Sequence, residues 1–303
     1  MFRLSSRLPF RTARSLVLAA SLAASPALAA GAPVPDVSGA RHLVSIGGSV
    51  TEIIYALGAE DRLVARDTTS LFPPAAQALP DVGYIRALSP EGVLSTGPDA
   101  ILTLEGSGPP EALEVLRQAG VPIVTVPEDY SGEGVLRKVE IVGQALGLAD
   151  KAADLSASLR DALARAEEQA ATRESDLKVL FVLSLSGGNV MAAGEHTAAA
   201  GIMKLAHLTN AVSGFGGYKP LTPEAITEAA PDVILMMSNS GDHAASRETV
   251  LAHPVLGLTP AARNNRILAL DGLYLLGFGP RTAEAADELS RTVAEWAAEE
   301  AGQ

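Results

Sequence analysis

One segment of this 303-residue chain occurs twice, and this repeat limits the fold more than any other feature of the sequence. Residues 89–102, SPEGVLSTGPDAIL, align without gaps on residues 222–235, TPEAITEAAPDVIL. In each copy a Ser or Thr followed by Pro and Glu is typical of a capped helix N-terminus, and a Pro-Asp pair leads into an apolar strand. The repeat therefore predicts two structurally related halves.

Apolar runs typical of strands alternate with helical patterns through both halves, which predicts an α/β fold with a mainly parallel sheet in each half. The runs are residues 42–46, 63–65, 101–104 and 123–126 in the first half, and residues 179–183, 233–237 and 267–270 in the second.

The segment between the halves, residues 149–175, contains no Gly or Pro and places three leucines on one stripe at helical spacing. A helix of about 25 residues spans roughly 37 Å, comparable to a small domain. We therefore expect two Rossmann-like α/β lobes, residues 30–148 and 176–303, joined by a single long inter-lobe helix over residues 149–175, with a ligand cleft between the lobes. The alternative is a helix that packs inside one lobe.

The N-terminal residues 1–29 have the pattern of a secretory signal peptide. Four arginines precede an apolar run of about ten residues, well short of the roughly 20 residues that a transmembrane helix needs, and small residues follow at Ala27 and Ala29. Removing this segment reduces 23 basic residues to 19 against 35 acidic ones, so the formal charge changes from −12 to −16. Because the chain has no Cys to carry a lipid, we expect a soluble periplasmic protein that is neither a lipoprotein nor inserted in the membrane.

Composition and motif content argue against several functional classes. The absence of Cys excludes disulfides, thiolate metal centres and cysteine nucleophiles, and the acidic charge argues against a nucleic-acid partner. The chain has no GxxxxGK[ST] loop, GxSxG elbow or HExxH helix, and its five His are scattered. We therefore expect no enzymatic reaction. A secreted α/β enzyme, whose catalytic residues come together from distant positions, is the alternative.

Two of the five tyrosines precede the two copies of the repeat in nearly matching loops. Tyr84 is two residues from Arg86, and Tyr218 is next to Lys219. Loops at equivalent edges of two lobes face each other across a cleft, where ligands commonly bind. The alternative is a pair of tyrosines with buried rings and solvated hydroxyls.

Five segments carry a resemblance to a known family: SIGGSVTEIIYALG (residues 45–58), LPDVGYIR (79–86), EGSGPP (105–110), GYKP (217–220) and LGFGPR (276–281). Together they resemble the periplasmic heme-binding proteins of bacterial heme ABC importers, within the wider group of binding proteins for vitamin B12 and ferric siderophores. The resemblance implies a monomeric carrier that binds ferric heme and delivers it to the permease and ATPase of an inner-membrane ABC transporter. A carrier of ferric siderophores or corrinoids with the same fold is the alternative.

The resemblance also implies roles for individual residues around the heme. Tyr84 is expected to be the axial ligand of the heme iron, because ferric iron is hard and phenolate is an established heme ligand. Arg86 is expected to bond either that phenolate or a heme propionate, and Tyr218 and Lys219 to contact the ligand from the opposite lobe. His196 is the candidate for a second iron ligand. Its alternative is a solvent-facing residue at a helix start.

The repeated glutamates, Glu91 and Glu224, are expected to dock the carrier on the permease, one from each lobe. This role follows from the resemblance to the wider group of binding proteins. The alternative is that both carboxylates only stabilise the N-terminus of their own helix.

Overall fold

The computed structural model describes residues 1–2, 33–173, 175–238 and 246–301. By its internal contacts the chain divides into two units, Met1–Pro33 and Val34–Gln303, and both sheets belong to the second unit. Except for its first two residues, the predicted signal peptide lies outside the described residues, as do residues 30–32 of the predicted first lobe.

The first lobe is built on a sheet of four parallel strands in the order β2-β1-β3-β4. The strands are β1 (Leu43–Ile46), β2 (Leu63–Arg66), β3 (Ala100–Leu104) and β4 (Ile123–Val126). The helices are α1 (Gly48–Ala56), α2 (Pro90–Leu94), α3 (Pro110–Gln118) and α4 (Gly132–Leu146). Most strand residues are buried, as expected for parallel strands that helices cover on both faces.

The second lobe is built on a mixed sheet in the order β10-β9-β5-β6-β8, with β7 also paired to β5. Its strands are β5 (Lys178–Ser184), β6 (Val190–Ala193), β7 (Thr209–Asn210), β8 (Tyr218–Leu221), β9 (Val233–Ser238) and β10 (Ile267–Asp271). Its helices are α6 (Ala198–Leu205), α7 (Pro223–Ala229), α8 (Arg247–Ala252), α9 (Pro260–Arg263), α10 (Gly272–Leu276) and α11 (Thr282–Ala301).

The pairings of β5 with β7 and β9, and of β9 with β10, are parallel, in agreement with the predicted mainly parallel arrangement, whereas the pairings of β6 are antiparallel. Strand β6 runs antiparallel to β5 and to β8. The chain reverses between β5 and β6 at Gly187 and Gly188, whose φ angles of 63° and 78° are left-handed, a conformation that glycine adopts without steric cost.

One long helix, α5 (Ala149–Thr172), connects the lobes and packs against both α4 and α11. Its buried stripe includes Leu159 and Leu163, as the sequence predicts. It ends three residues before the predicted boundary, where Arg173 becomes extended and its guanidinium binds Asp287 of α11 at 2.7 Å. The fold class is confirmed: two α/β lobes are joined by a single long helix.

The two copies of the sequence repeat have the same local structure. Ser89 caps α2 by accepting a hydrogen bond from the Gly92 amide, and Thr222 caps α7 by accepting one from the Ala225 amide, both at 3.2 Å. A proline follows each cap at the first helical position, where its missing N–H costs no hydrogen bond.

The aspartate that ends each copy also has an equivalent role. Asp99 accepts hydrogen bonds from the amides of Arg41 and His42 just before β1. Asp232 accepts one from the Lys178 amide at the start of β5. The aspartate of each Pro-Asp pair therefore links the start of the strand that follows it to the start of the neighbouring strand.

Candidate functional site

The loop of residues 83–88, which carries Tyr84 and Arg86, lies between β2 and α2. It begins at Gly83, whose φ of 101° is left-handed and suits glycine. The Ala87 amide donates to the Tyr84 carbonyl at 2.8 Å, and the Ile85 carbonyl accepts from the Gly108 amide at 2.9 Å. The backbone is therefore fixed, while Arg86 is exposed and Tyr84 is 46% exposed.

Tyr218 and Lys219 lie on the second lobe, but Tyr218 is not in a loop as predicted. It is the first residue of β8 and pairs with Ala193, because the ladder between β6 and β8 extends to this point. The Tyr218 ring lies 6.4 Å from the Phe181 ring. The Lys219 ammonium lies 5.6 Å from the centre of the Phe215 ring.

The Tyr218 hydroxyl has an electrostatic environment drawn from both lobes. Burial raises the pKa of Tyr218 to about 12, and Tyr130 adds to this effect. The Ala199 amide and the Thr197 hydroxyl, at the N-terminus of α6, oppose the rise in this pKa, as does Arg86. Arg86 of the first lobe and Tyr218 of the second are therefore within electrostatic reach of each other.

Tyr130, which sequence reasoning missed, completes this group. It follows β4, and its ring meets Phe278 of the second lobe edge to face, with ring centres 5.5 Å apart. A side chain at Gly201 of α6 would overlap the backbone and Cβ of Tyr130, so the glycine permits this close contact. Burial raises the pKa of Tyr130, Glu128 adds to the rise, and Arg86 opposes it.

Arg86, Tyr130 and Tyr218 influence one another electrostatically, and together they define the chemistry of this region. A guanidinium supplies a permanent positive charge, and protonated phenols supply O–H donors. Such a set suits an anionic oxygen. The one signal for Tyr130 in the sequence is its position just after a predicted strand, at the edge of a parallel sheet where ligands bind.

His196 lies two residues before α6 and is exposed. Its φ of 57° is left-handed, a conformation in which His is found more often than most residues. A Cβ added at Gly216 would lie 3.8 Å from the His196 ring, so the imidazole is next to the segment that leads into β8. Its role as an iron ligand stays a prediction.

Glu91 and Glu224 are exposed at the second position of α2 and α7, one on each lobe. Glu91 accepts a hydrogen bond from the Ser89 hydroxyl at 3.0 Å. The Glu91 backbone amide and this bond hold the pKa of the Glu91 carboxyl below its usual value. Permease docking by the two glutamates also stays a prediction.

Two negative findings apply to the described ranges, residues 1–2, 33–173, 175–238 and 246–301. Within them, no group of three or more His, Asp or Glu is arranged to hold a metal ion. Within the same ranges, no helix combines the length and apolar character needed to cross a bilayer.

Two α/β lobes that direct aromatic and cationic side chains toward each other define a two-lobed ligand-binding protein. The chain belongs to the periplasmic binding protein family, whose model matches residues 43–273. The resemblance drawn from the sequence is confirmed by solved structures.

The chain is 40% identical to the periplasmic heme-binding protein BhuT, solved with two hemes, over 84% of this chain and 98% of BhuT, with a TM-score of 0.79. It is 36% identical to the heme-binding protein RhuT from Roseiflexus sp. RS-1, over 86% of this chain and all of RhuT, with a TM-score of 0.82. It is also 27% identical to YvrC of Bacillus subtilis, an uncharacterised ABC transporter substrate-binding lipoprotein, over 84% of this chain and 80% of YvrC.

Proposed function

We propose that this protein is a periplasmic carrier that captures ferric heme between its lobes and delivers it to an ABC importer, without performing a reaction. The observation that carries the proposal is the electrostatic influence of Arg86, two residues from Tyr84, on Tyr218 of the opposite lobe, in a chain 40% identical to a heme-binding protein. We further propose that the carrier acts as a monomer.

Tyr84 is the proposed axial ligand of the heme iron. It is 46% exposed on a loop with a fixed backbone, so its hydroxyl is accessible to an incoming ligand. Ferric iron stabilises the phenolate on binding. Tyr218 is a poorer candidate, because burial raises its pKa to about 12, so that forming its phenolate costs more than forming that of an ordinary tyrosine. Tyr218 therefore acts as a hydrogen-bond donor in this proposal.

The opposite lobe supplies the remaining proposed contacts. Lys219 and Tyr218 meet the heme from β8, and Arg86 bonds either the Tyr84 phenolate or a propionate. His196, exposed beside the segment that leads into β8, is the candidate for a second iron ligand. If the His196→Ala variant has the same ferric heme spectrum as the wild-type protein, His196 is not an iron ligand.

Titration with ferric heme tests the proposal. The wild-type protein should give the high-spin absorption of a tyrosinate-bound heme. Tyr84→Phe should lose this signature and weaken binding by more than the roughly 10–100-fold that loss of an outer-shell partner costs. Tyr55→Phe is the matched control, because Tyr55 packs against the core from α1.

Two outcomes would contradict the heme proposal. A Tyr84→Phe variant with the wild-type spectrum would refute the ligand assignment. A protein that binds cobalamin or a ferric siderophore but not heme would refute the choice of ligand while preserving the carrier function.

Delivery to the importer is proposed to use Glu91 and Glu224. Both are exposed in equivalent helices of the two lobes, where basic pockets of a permease would attract them. The double variant Glu91→Gln with Glu224→Gln should bind heme normally and fail to support heme uptake by cells.

The control for this experiment is Asp150→Asn. Asp150 is exposed in the first turn of α5. Helix α5 begins just after the C-terminus of α4, whereas Tyr130 lies just before the N-terminus of α4. The substitution changes charge at a comparable helix position and should leave uptake intact. If the glutamate double variant supports wild-type uptake, the carboxylates act only on their own helices.

A further inference from the structure

Residues 277–281, which follow α10, pack directly against the first lobe. Lys138 of α4 is fully buried, pairs with Glu128, and donates to the Phe278 carbonyl at 3.2 Å. Phe278 has a left-handed φ of 49°, which is rare for an aromatic residue and persists only where surrounding contacts hold it. Its ring contacts Tyr130, as described above. This segment of the second lobe is therefore held from two sides by the first.

An ion pair between Glu52 of α1 and Arg281 also joins the two lobes at this place. The Arg281 Nη2 atom lies 2.6 Å from one carboxylate oxygen of Glu52, and its Nε atom lies 3.1 Å from the other. Glu52 is only 5% exposed. Burial raises the pKa of Glu52, while Arg281 opposes the rise. The fork geometry makes this a strong and directional pair.

The Arg281 guanidinium also stacks on aromatic rings from both lobes. It lies 3.7 Å from the centre of the Phe72 ring and 5.2 Å from that of Tyr274, which are distances of cation–π contact. We call Glu52, Phe72 and Arg281 the cross-lobe clasp.

Two glycines permit the lobes to approach closely around the clasp. A Cβ at Gly48 would overlap Leu273 of α10, and one at Gly279 would lie 3.4 Å from both Ser49 and Glu52. The segments SIGGSVTE and LGFGPR, which lie in opposite lobes, thus form the two sides of a single contact.

The loop that carries Phe72 of the clasp is hydrogen-bonded to the segment that leads to Tyr84. Phe72 lies at the end of a loop in which the Thr68 amide donates to the Gly83 carbonyl at 3.0 Å. The Thr68 hydroxyl and the Gly83 amide both donate to Asp81, at 3.1 and 2.8 Å. The loop that ends at Phe72 is therefore hydrogen-bonded at its start to Gly83, the residue next to Tyr84.

The start of the same loop is held by Asp67, which is fully buried. Its carboxylate accepts hydrogen bonds from the Gly47 amide at 2.8 Å and from the Ser70 hydroxyl at 2.6 Å. The base of the loop is held in this way, and its outer end contacts the second lobe through Phe72 and Arg281.

We infer that Arg281 is a positioning residue for the ligand cleft: through Glu52 and Phe72 it holds the loop beside Tyr84 in place against the second lobe. This inference rests on the proposed heme function. Arg281 acts on the geometry around the iron ligand, so its loss should speed heme release and leave the ligation of iron unchanged.

Three variants test this role by heme transfer to an excess of a tight heme acceptor. Phe72→Leu removes the ring and keeps the buried ion pair. Arg281→Lys keeps the charge and loses the fork. Glu52→Met combined with Arg281→Met replaces both charges, which avoids the unfolding risk of a single unpaired buried charge. Each should keep the wild-type ferric spectrum and release heme on the order of tenfold faster.

The control is Arg291→Lys, which makes the same substitution in an exposed ion pair with Glu295 on α11. It should release heme at the wild-type rate. Hydrogen exchange of the Thr68 amide in the ligand-free protein is a readout that needs no heme, and the three clasp variants should accelerate it.

Wild-type release rates in the clasp variants, even with lowered melting temperatures, would overturn the positioning role. Loss of the tyrosinate spectrum in these variants would also overturn it, since Arg281 would then act on the iron ligand directly. If the wild-type protein binds no heme while the clasp variants accelerate Thr68 exchange, the proposed function fails and the mechanical link from Arg281 to this loop stands.

Discussion

At the residue scale, two tyrosines from matching sequence positions have different chemical environments. Tyr84 lies on a loop and is 46% exposed, whereas Tyr218 begins a strand, is 37% exposed and has a pKa that burial of its phenol group raises. The similarity between the two halves therefore extends to the sequence around the tyrosines and not to their backbone conformation or to the environment of their hydroxyls. This difference is why only Tyr84 is proposed as the ligand.

The first prediction concerns the ionisation of Tyr218. Because its pKa is raised to about 12 from an ordinary value near 10, its phenol should stay protonated where exposed tyrosines have ionised. The folded protein binds this proton more tightly than the unfolded chain, so the stability it contributes is complete below pH ~10 and is lost as the pH rises through about 12.

Ultraviolet difference absorption of the phenolate measures this ionisation directly. Tyr218→Phe should remove a titration step with a midpoint at about 12 and leave the lower steps unchanged. Loss of a step near 10 instead would mean that the hydroxyl is solvated, and Tyr218 would then also be a candidate iron ligand.

At the scale of elements, the capped helices show how much of the fold local sequence determines. The Ser-Pro-Glu and Thr-Pro-Glu patterns predict α2 and α7 with their caps, because a cap needs only residues within three positions of each other. The strand-helix alternation likewise predicts every strand of the first sheet.

The elements that sequence reasoning missed depend on distant partners. Strand β8 exists because β6 folds back on β5 and leaves an edge for residues 218–221 to pair with. No pattern within residues 218–221 specifies that partner. Tyr130 was missed for a related reason: its contact with Phe278 requires the two lobes to be assembled.

The second prediction tests the equivalence of the two caps. Ser89→Ala and Thr222→Ala should each lower the free energy of unfolding by about 1 kcal/mol, since each leaves one helix amide without its cap. Chemical denaturation measures both values. Thr227→Ala, at an exposed position inside α7, is the control and should change stability by less than about 0.5 kcal/mol.

Unequal costs would contradict the equivalence. If Thr222→Ala is neutral while Ser89→Ala is costly, the repeat has kept its sequence in the second lobe for another reason, such as the exposed Glu224 beside the cap.

At the scale of the whole molecule, the two lobes share a single core. One cluster of buried side chains includes Leu102 of the first sheet, Leu159 of the connecting helix and Phe181 of the second sheet. The cross-lobe clasp and the hydrogen bond from Lys138 to the Phe278 carbonyl add polar contacts between the two lobes. Because packed interiors resist continuous deformation, the lobes should behave as one mechanical body.

The third prediction follows from this shared core: residues 34–303 should unfold in one cooperative transition. Leu102 is fully buried in the first lobe, and Leu102→Ala should cost about 2–5 kcal/mol. Trp296, the single tryptophan, packs against the same core from α11 of the second lobe. Its fluorescence should therefore report the Leu102→Ala destabilisation in full, at the same denaturant midpoint as the loss of helical circular dichroism.

The converse test uses Phe181→Ala, which creates a cavity in the second lobe. Phe181→Ala should cost about 3–5 kcal/mol and shift both signals together, as Leu102→Ala does. If Leu102→Ala shifts the circular dichroism and leaves the Trp296 transition at the wild-type midpoint, the lobes unfold separately. In that case the connecting helix and the clasp link two independent domains, and ligand exchange can proceed by lobe opening rather than by local movement of the Tyr84 loop.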